Sequence, residues 1–276
     1  MATYKLVDSD KLDAAMTATA DAIRAKTGGT DPIAWDAEKG MAEAVEPVFE
    51  AGKKAEYDAF WDSFWGNIAK YPQNPYLTHA FYGTQWNDKT FFPKYDIIAN
   101  ESIVDQLFSW CGISDLKGRL DECGVTLDLS KAIQAQQLFM YAYRVTHIPA
   151  IDIPNAKHCN YMFNSATACT TIDRVTLGDQ AILTRAFLNM PKLQNIEFAG
   201  SIGDNLDISA SPLLSKESIE SLITTLSSTI SALSVTLSLT AVNNAFETSA
   251  GAADGSTSEK WATLIATKSN WTISLV

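Results

Sequence analysis

The sequence predicts an α+β protein in which an N-terminal helical segment is followed by a solenoid with a parallel β-sheet and C-terminal α–β units. Three observations lead to this fold class: helix-periodic apolar residues near the N-terminus, a recurring apolar motif in the middle, and alternating helix and strand patterns near the C-terminus. With 276 residues, the chain has room for one large domain or for a small domain and a larger one.

The first 70 residues are predicted to be helical. Apolar residues from Leu12 to Ile23 recur at near-helical spacing after Ser9, which is suited to cap a helix. Further on, Tyr57–Trp65 places an aromatic stripe on one helical face, either as a packing face or as a surface for self-association. We therefore expect residues 1–70 to form an attachment or oligomerisation region.

Residues 71–96 differ in composition from the helical region. Pro72, Pro75 and Pro93 interrupt a stretch that is rich in Tyr, Phe and Trp. An exposed solenoid end would leave its core in water, so such ends require a cover. We interpret this stretch as a linker that caps the domain after it.

A short apolar motif recurs four times in the middle of the chain. It has apolar residues at positions 1 and 4, and its last three copies add one at position 6, on the same side of a strand. The copies start at Ile113, Ile148, Ile172 and Leu193, and they are preceded by Phe108, Phe139, Phe163 and Phe187. Repeats of roughly 20 to 29 residues with this motif are typical of leucine-rich repeats. The sequence thus predicts a leucine-rich-repeat-type solenoid over residues 97–276, with the phenylalanines filling its core.

The C-terminal region alternates helix and strand patterns. Ser215 can cap a helix with an apolar face that reaches Leu226, and residues 235–239 then alternate as a strand. Ser258 can cap another helix, and residues 271–275 alternate again. Because parallel strands require a crossover connection, we expect these strands to extend the sheet of the repeats.

The charge balance argues against two classes of partner. The net charge of −11 and the pI of about 4.7 oppose binding to nucleic acid, which requires a basic face. They also oppose simple electrostatic attraction to a membrane. Charged residues interrupt the first residues of the chain, so we expect no signal peptide, no membrane insertion and synthesis in the cytoplasm.

The cysteines and histidines suggest no metal or cofactor. Cys111, Cys123, Cys159 and Cys169 form no CxxC pair, and the chain has only three histidines. Buried thiols are the expected role of the cysteines. No nucleophile motif or phosphate-binding loop stands in a context that supports catalysis, so we predict that the chain is not an enzyme.

Two sets of residues are candidates for binding. Asp152, Thr176 and Glu197 share position 5 of the motif and are expected to form a polar row on the outer sheet face. This row is either a solvated face or a site for a cation or polar ligand. His147 lies close to Asp152 in sequence, and a histidine beside a carboxylate could in principle take part in acid–base chemistry.

The second set consists of the tyrosines Tyr141, Tyr143 and Tyr161 near the corners of the repeats. Aromatic faces stack on sugar rings, and rigid aromatic residues are efficient at protein interfaces. Packing of the corners themselves is the structural alternative.

Several segments resemble one family. Ala18–Ile33 (ATADAIRAKTGGTDPI), followed by Trp35-Asp36 and Gly40–Val45, resembles a leader found on phage and prophage tail-region proteins of gut Firmicutes. The next module of those proteins is similar to Glu56–Asp62, Gly83–Trp86 and Phe92–Asp96. The repeats resemble the BspA-like branch of leucine-rich repeats, and Ser269–Val276 resembles the usual end of that module.

The resemblance implies a virion structural protein, namely a tail fibre or receptor-binding component located in the phage tail. Its partners would be other tail proteins and a host surface receptor or glycan, and the family suggests a homo-oligomer, commonly a trimer. It implies no catalytic residues. A bacterial surface adhesin is the first alternative. A polysaccharide-degrading tail enzyme is the second, and it would require a carboxylate pair in a cleft.

Overall fold

The structure is a computed structural model that describes residues 96–101, 103–246 and 259–276. All of these residues belong to one unit of the chain, Tyr71–Val276. The predicted helical region, the predicted linker apart from Asp96, and the predicted Ser258 cap lie outside the described residues.

The described residues form four helices and nine strands. The helices are α1 (Leu116–Cys123), α2 (Lys216–Thr225), α3 (Leu239–Phe246) and α4 (Glu259–Ala266). The strands are β1 (Ile97–Ile98), β2 (Leu127–Asp128), β3 (His147–Ile148), β4 (Ile151–Ile153), β5 (Thr171–Leu177), β6 (Asn195–Gly200), β7 (Leu206–Asp207), β8 (Leu233–Leu237) and β9 (Trp271–Leu275). Among these helices, none has the length and apolar character needed to cross a membrane.

The strands pair in parallel, but they belong to three separate sheets. Strand β1 pairs with β2, while β3, β4 and β6 all pair with β5. The third sheet has the order β7-β8-β9. The predicted solenoid with one parallel sheet is therefore wrong, because the described residues form a mixed α/β arrangement of small, open sheets. The expectation that the C-terminal strands extend the sheet of the repeats is wrong for the same reason.

Helix α2 ends the middle sheet by covering the free edge of β6. Ser218, Ser221 and Thr225 share one face of α2 because they recur at helical spacing. The Ser218 hydroxyl accepts a hydrogen bond from the Ile196 N–H at 2.9 Å. The Ser221 hydroxyl accepts one from the Phe198 N–H at 3.2 Å, and Thr225 donates one to the Phe198 carbonyl at 3.1 Å. The hydroxyls thus occupy backbone groups that a further strand would need.

Four turn segments line the core opposite the middle sheet. They comprise residues 104–111, 135–142, 159–166 and 182–189, and backbone hydrogen bonds join each segment to the next. Their phenylalanines Phe108, Phe139, Phe163 and Phe187 are fully buried. Successive rings lie 5.1 to 5.7 Å apart between centroids. The prediction that these phenylalanines fill the core is confirmed.

The buried apolar positions of the motif are confirmed in all four copies, including Ile113 and Leu116 of the first, but the strand predicted in the first copy is wrong. The apolar positions of the later copies are all buried: Ile148, Ile151, Ile153, Ile172, Val175, Leu177, Leu193, Ile196 and Phe198. In the first copy, Leu116 begins α1 instead of a strand. Asp115 caps this helix by accepting a hydrogen bond from the Gly118 N–H at 2.8 Å.

The C-terminal helix and strand patterns are largely confirmed. Ser215 caps α2 by accepting a hydrogen bond from the Ser218 N–H at 3.2 Å. Strand β9 forms where alternation predicts it and pairs with β8 along its length. The strand predicted over residues 235–239 ends at Leu237, and Leu239 begins α3.

Candidate functional site

Each turn segment holds two residues in the left-handed backbone region, one on either side of its phenylalanine. The residues two positions before the phenylalanine form the first row: Gln106 (φ 56°), Gln137 (56°), Tyr161 (58°) and Arg185 (55°). The residues two positions after the phenylalanine form the second row: Trp110 (φ 58°), Tyr141 (60°), Ser165 (61°) and Asn189 (60°). This conformation costs a non-glycine residue about 1–2 kcal/mol, and none of the eight is buried. The turns therefore hold two rows of side chains at the surface, of which Arg185 and Asn189 are exposed and the others half-buried.

Three rings form a group at the surface, here called the aromatic cluster: the half-buried Trp110 and Tyr141 and the exposed Tyr143. The Trp110 ring lies 4.8 Å from the Tyr141 ring and 5.6 Å from the Tyr143 ring, and the two tyrosine rings are 5.7 Å apart. Tyr143 is 45% exposed, whereas the neighbouring core phenylalanines are fully buried. The structure thus brings together two of the three predicted tyrosines outside the core.

Tyr161, the third predicted tyrosine, contacts a cation instead of the cluster. The Arg185 guanidinium carbon lies 5.9 Å from the Tyr161 ring centroid, and its Nη1 donates to the tyrosine hydroxyl at 3.5 Å. In the second row, the Asn189 amide donates to the Ser165 hydroxyl at 3.3 Å. From the first turn segment to the fourth, the first row therefore changes from glutamine to tyrosine and then arginine. The second row changes from aromatic residues to serine and asparagine.

The predicted polar row on the sheet is interrupted. Asp152 on β4 lies opposite Thr176 on β5, and the Thr176 hydroxyl donates to the Asp152 carboxylate. The next position across the sheet belongs to Ala199 and not to Glu197. The register between β5 and β6 shifts after Ile172, which moves Glu197 out of the row.

Arg174 neutralises the carboxylate of that row. Its Nε and Nη2 atoms donate to the two oxygens of Asp152 at 3.1 and 2.7 Å. The hydrogen bonds to Arg174 hold the pKa of Asp152 below its usual value, against the effect of desolvation. The paired carboxylate favours the interpretation of a solvated face over that of a cation site.

His147 contacts two carboxylates, neither of which is Asp152. Its Nε2 lies 2.6 Å from Asp173 Oδ1, and its Nδ1 lies 3.7 Å from Asp115 Oδ1. Since Asp115 caps α1 and Asp173 lies on β5, the imidazole connects both elements to β3. These contacts give His147 a structural role, which is to connect α1 and β5 to β3.

None of the cysteines in the described part of the chain is in a disulfide. Cys111, Cys159 and Cys169 are buried, as predicted, and Cys123 is partly exposed. Desolvation raises the pKa of both Cys159 and Cys169 to about 12, which keeps these thiols protonated and unreactive. Within the described part of the chain, no group of three His, Cys, Asp or Glu residues is placed to hold a metal ion.

Sequence reasoning missed Trp110 and Arg185 as site residues. Trp110 lies two residues after Phe108, and Arg185 lies two residues before Phe187. The spacing around the recurring phenylalanines could have identified both positions. The tyrosines stand out in the sequence by residue type. Trp110 and Arg185 become recognisable as surface positions only once the residues that flank each phenylalanine are known to adopt positive φ.

No protein-family model, no curated protein and no solved structure matches this chain. Function is therefore inferred from the geometry of the aromatic cluster and the two rows.

Proposed function

We propose that this chain is a binding protein, without enzymatic activity, whose aromatic cluster contacts a sugar on a host cell surface. The observation that carries this proposal is the position of Tyr143, which is 45% exposed and is held against Trp110 and Tyr141. Tyrosine and tryptophan offer a rigid apolar face with a polar edge, which suits a sugar ring with apolar C–H groups and peripheral hydroxyls.

The burial pattern supports binding over packing as the role of the cluster. The phenylalanine rings already fill the interior beneath the turn segments. The chain nevertheless adopts left-handed backbone at Trp110 and Tyr141, next to the exposed Tyr143. All four turn segments share this conformation, and the first two carry neighbouring aromatic rings at the second of its positions.

A glycan array probed with the full chain tests the proposal. We expect Tyr143→Ala to lower the affinity for the bound glycan about tenfold or more, and Tyr143→Phe to retain most of it. Leu213→Ala is the matched control because Leu213 is 49% exposed and lies outside the cluster. Unchanged binding by Tyr143→Ala contradicts the proposal, and release of reducing ends from a bound polymer contradicts the absence of enzymatic activity.

The proposed setting is a phage tail, where the chain would be a fibre or receptor-binding component. The resemblance of Ala18–Val45 to a tail-protein leader supports this setting. Immunogold labelling of phage particles with an antibody to the chain tests it. Label on the tail is the expected result, and unlabelled particles with label on the bacterial surface would instead favour the adhesin.

A further inference from the structure

The turn segments differ in charge from the rest of the chain. The chain has 32 acidic and 21 basic residues, yet the only carboxylate in the four turn segments is Asp105. The oxygens of Asp105 accept hydrogen bonds from the Gln136 N–H at 2.6 Å and the Gln134 side-chain amide at 2.5 Å. Asp204 lies against the fourth segment, where its carboxylate accepts a hydrogen bond from the Leu183 N–H at 2.8 Å. Both carboxylates on these segments are therefore engaged by N–H groups, although the chain as a whole is acidic.

Two exposed arginines adjoin the aromatic residues, one in space and one along the chain. Arg185 is exposed over Tyr161, and the exposed Arg144 directly follows Tyr143. Neither forms an ion pair with a carboxylate in the described part of the chain, whereas Arg119 and Arg174 do so with Glu122 and Asp152. An unpaired guanidinium beside an aromatic ring is a good donor to a carboxylate or phosphate.

We infer that this surface binds an anionic sugar polymer, with Arg185 and Arg144 contacting its carboxylate or phosphate groups. The inference rests on the proposed function, because the aromatic cluster would hold the sugar rings beside the arginines. The second row supplies hydroxyl and amide groups at Ser165 and Asn189, which suit sugar hydroxyls.

The dimensions of the rows fit a short stretch of polymer. Backbone hydrogen bonds join the four turn segments in sequence, so neighbouring row positions lie roughly 5 Å apart. From Trp110 to Asn189 the second row therefore extends over roughly 14 Å. A chain of a few sugar residues can therefore reach from the aromatic cluster in the first two segments to the fourth segment, which carries Asn189 in the second row and Arg185 in the first.

A single-stranded nucleic acid would also offer rings and negative charge. Its tight binding depends on several phosphate contacts from basic residues. Two arginines in a chain of net charge −11 supply few such contacts, and long-range repulsion opposes the approach of a polyanion of high charge density. A glycan with scattered charges fits this surface better.

The test uses the full chain and matched pairs of polymers in calorimetric titrations. One pair is oligogalacturonate and its methyl ester, and the other is phosphorylated mannan and plain mannan. The pairs separate carboxylate from phosphate recognition. We expect the acidic member of at least one pair to bind about tenfold more tightly than its neutral counterpart, with a preference that decreases as salt is added.

Variants separate this inference from the proposed function. Arg185→Gln and Arg144→Gln should abolish the roughly tenfold preference for the acidic polymer over its neutral counterpart. Tyr143→Ala should weaken both, and Lys260→Gln, which loses the same charge from helix α4, should change neither.

Three results would overturn the inference. Equal affinity for the neutral and the acidic polymer of each pair would overturn the inference and leave the proposed function standing. Failure of every polymer to bind counts against both. If the chain binds a single-stranded oligothymidylate more tightly than any acidic glycan, the ligand of this surface is a nucleic acid and not a sugar polymer.

Discussion

The Ser218 hydroxyl lies 2.9 Å from the backbone nitrogen of Ile196 and accepts its hydrogen bond, so a helix side chain closes the edge of strand β6. The same hydroxyl donates to the Gln194 carbonyl at 3.2 Å, and Ser218 is 3% exposed. One buried side chain thus satisfies a donor and an acceptor that a neighbouring strand would otherwise pair with.

Ser218→Ala should lower the free energy of unfolding by about 1–3 kcal/mol, because it leaves the Ile196 N–H unpaired in the interior. The Gln194 carbonyl loses one of its two hydrogen bonds and keeps the one from the Ser215 N–H at 2.8 Å. Urea denaturation of the full chain measures this change. Thr224→Ala is the control, since the Thr224 hydroxyl is exposed and donates only to carbonyls of its own helix. Equal losses in both variants would show that the edge contact is not what stabilises this region.

Phe163→Ala and Tyr143→Ala should differ strongly in their effect on stability. Phe163 stacks between Phe139 and Phe187 and is fully buried, so its truncation should cost about 3–5 kcal/mol. Truncation of the exposed Tyr143 should cost less than about 1 kcal/mol. Thermal or urea unfolding distinguishes the two. A loss at Tyr143 as large as that at Phe163 would assign the aromatic cluster to packing and not to binding.

The contact between Asp152 and Arg174 should make stability depend on pH in the acidic range. The hydrogen bonds to Arg174 lower the pKa of Asp152 in the folded chain, so the contribution is present above the unfolded value of about 3.9. It is lost as the pH falls through the lower, folded pKa.

Asp152→Asn should therefore be less stable than the parent at pH 7, by at most about 1 kcal/mol because both side chains are more than a third exposed. The difference should shrink as the pH is lowered from 4 toward 2 in urea titrations. Arg174→Gln should show the same trend. A difference that is constant across this range would rule out the ion pair as its cause.

Cys123 should be the first thiol to react in the folded protein. It is partly exposed, whereas Cys111, Cys159 and Cys169 are buried. Burial raises the pKa of Cys159 and Cys169 to about 12, so at pH 8 these thiols should react with a disulfide reagent such as DTNB only after unfolding. Cys123→Ser should abolish the fast phase of the reaction. A fast phase that survives this substitution would contradict the burial of the other three.

Much of the candidate site could be predicted from residue types, and its arrangement could not. Tyr141 and Tyr143 stand out as aromatic residues near turns, and the structure brings them together with Trp110. The position of Glu197 was wrong because the register of β5 and β6 shifts after Ile172, and a shift of this kind leaves no mark on the apolar pattern. His147 pairs with Asp173 instead of Asp152 because of parallel strand pairing, which sequence distance does not reveal.

By itself, the sequence determined that the recurring phenylalanines and the apolar motif positions are buried, and that a helix begins after Ser215. The recurring phenylalanines, the apolar motif positions and the Ser215 cap depend on periodicity and on local hydrogen bonds, which can be recognised in a short segment. Only the tertiary structure decided how the strands group into sheets. A strand edge can be satisfied by another strand or by hydroxyls of a packed helix, and at Ile196 the nearby Ser218 completes the hydrogen bond. For that reason, the middle sheet ends at β6, where the pattern alone predicts that the sheet continues into the C-terminal strands.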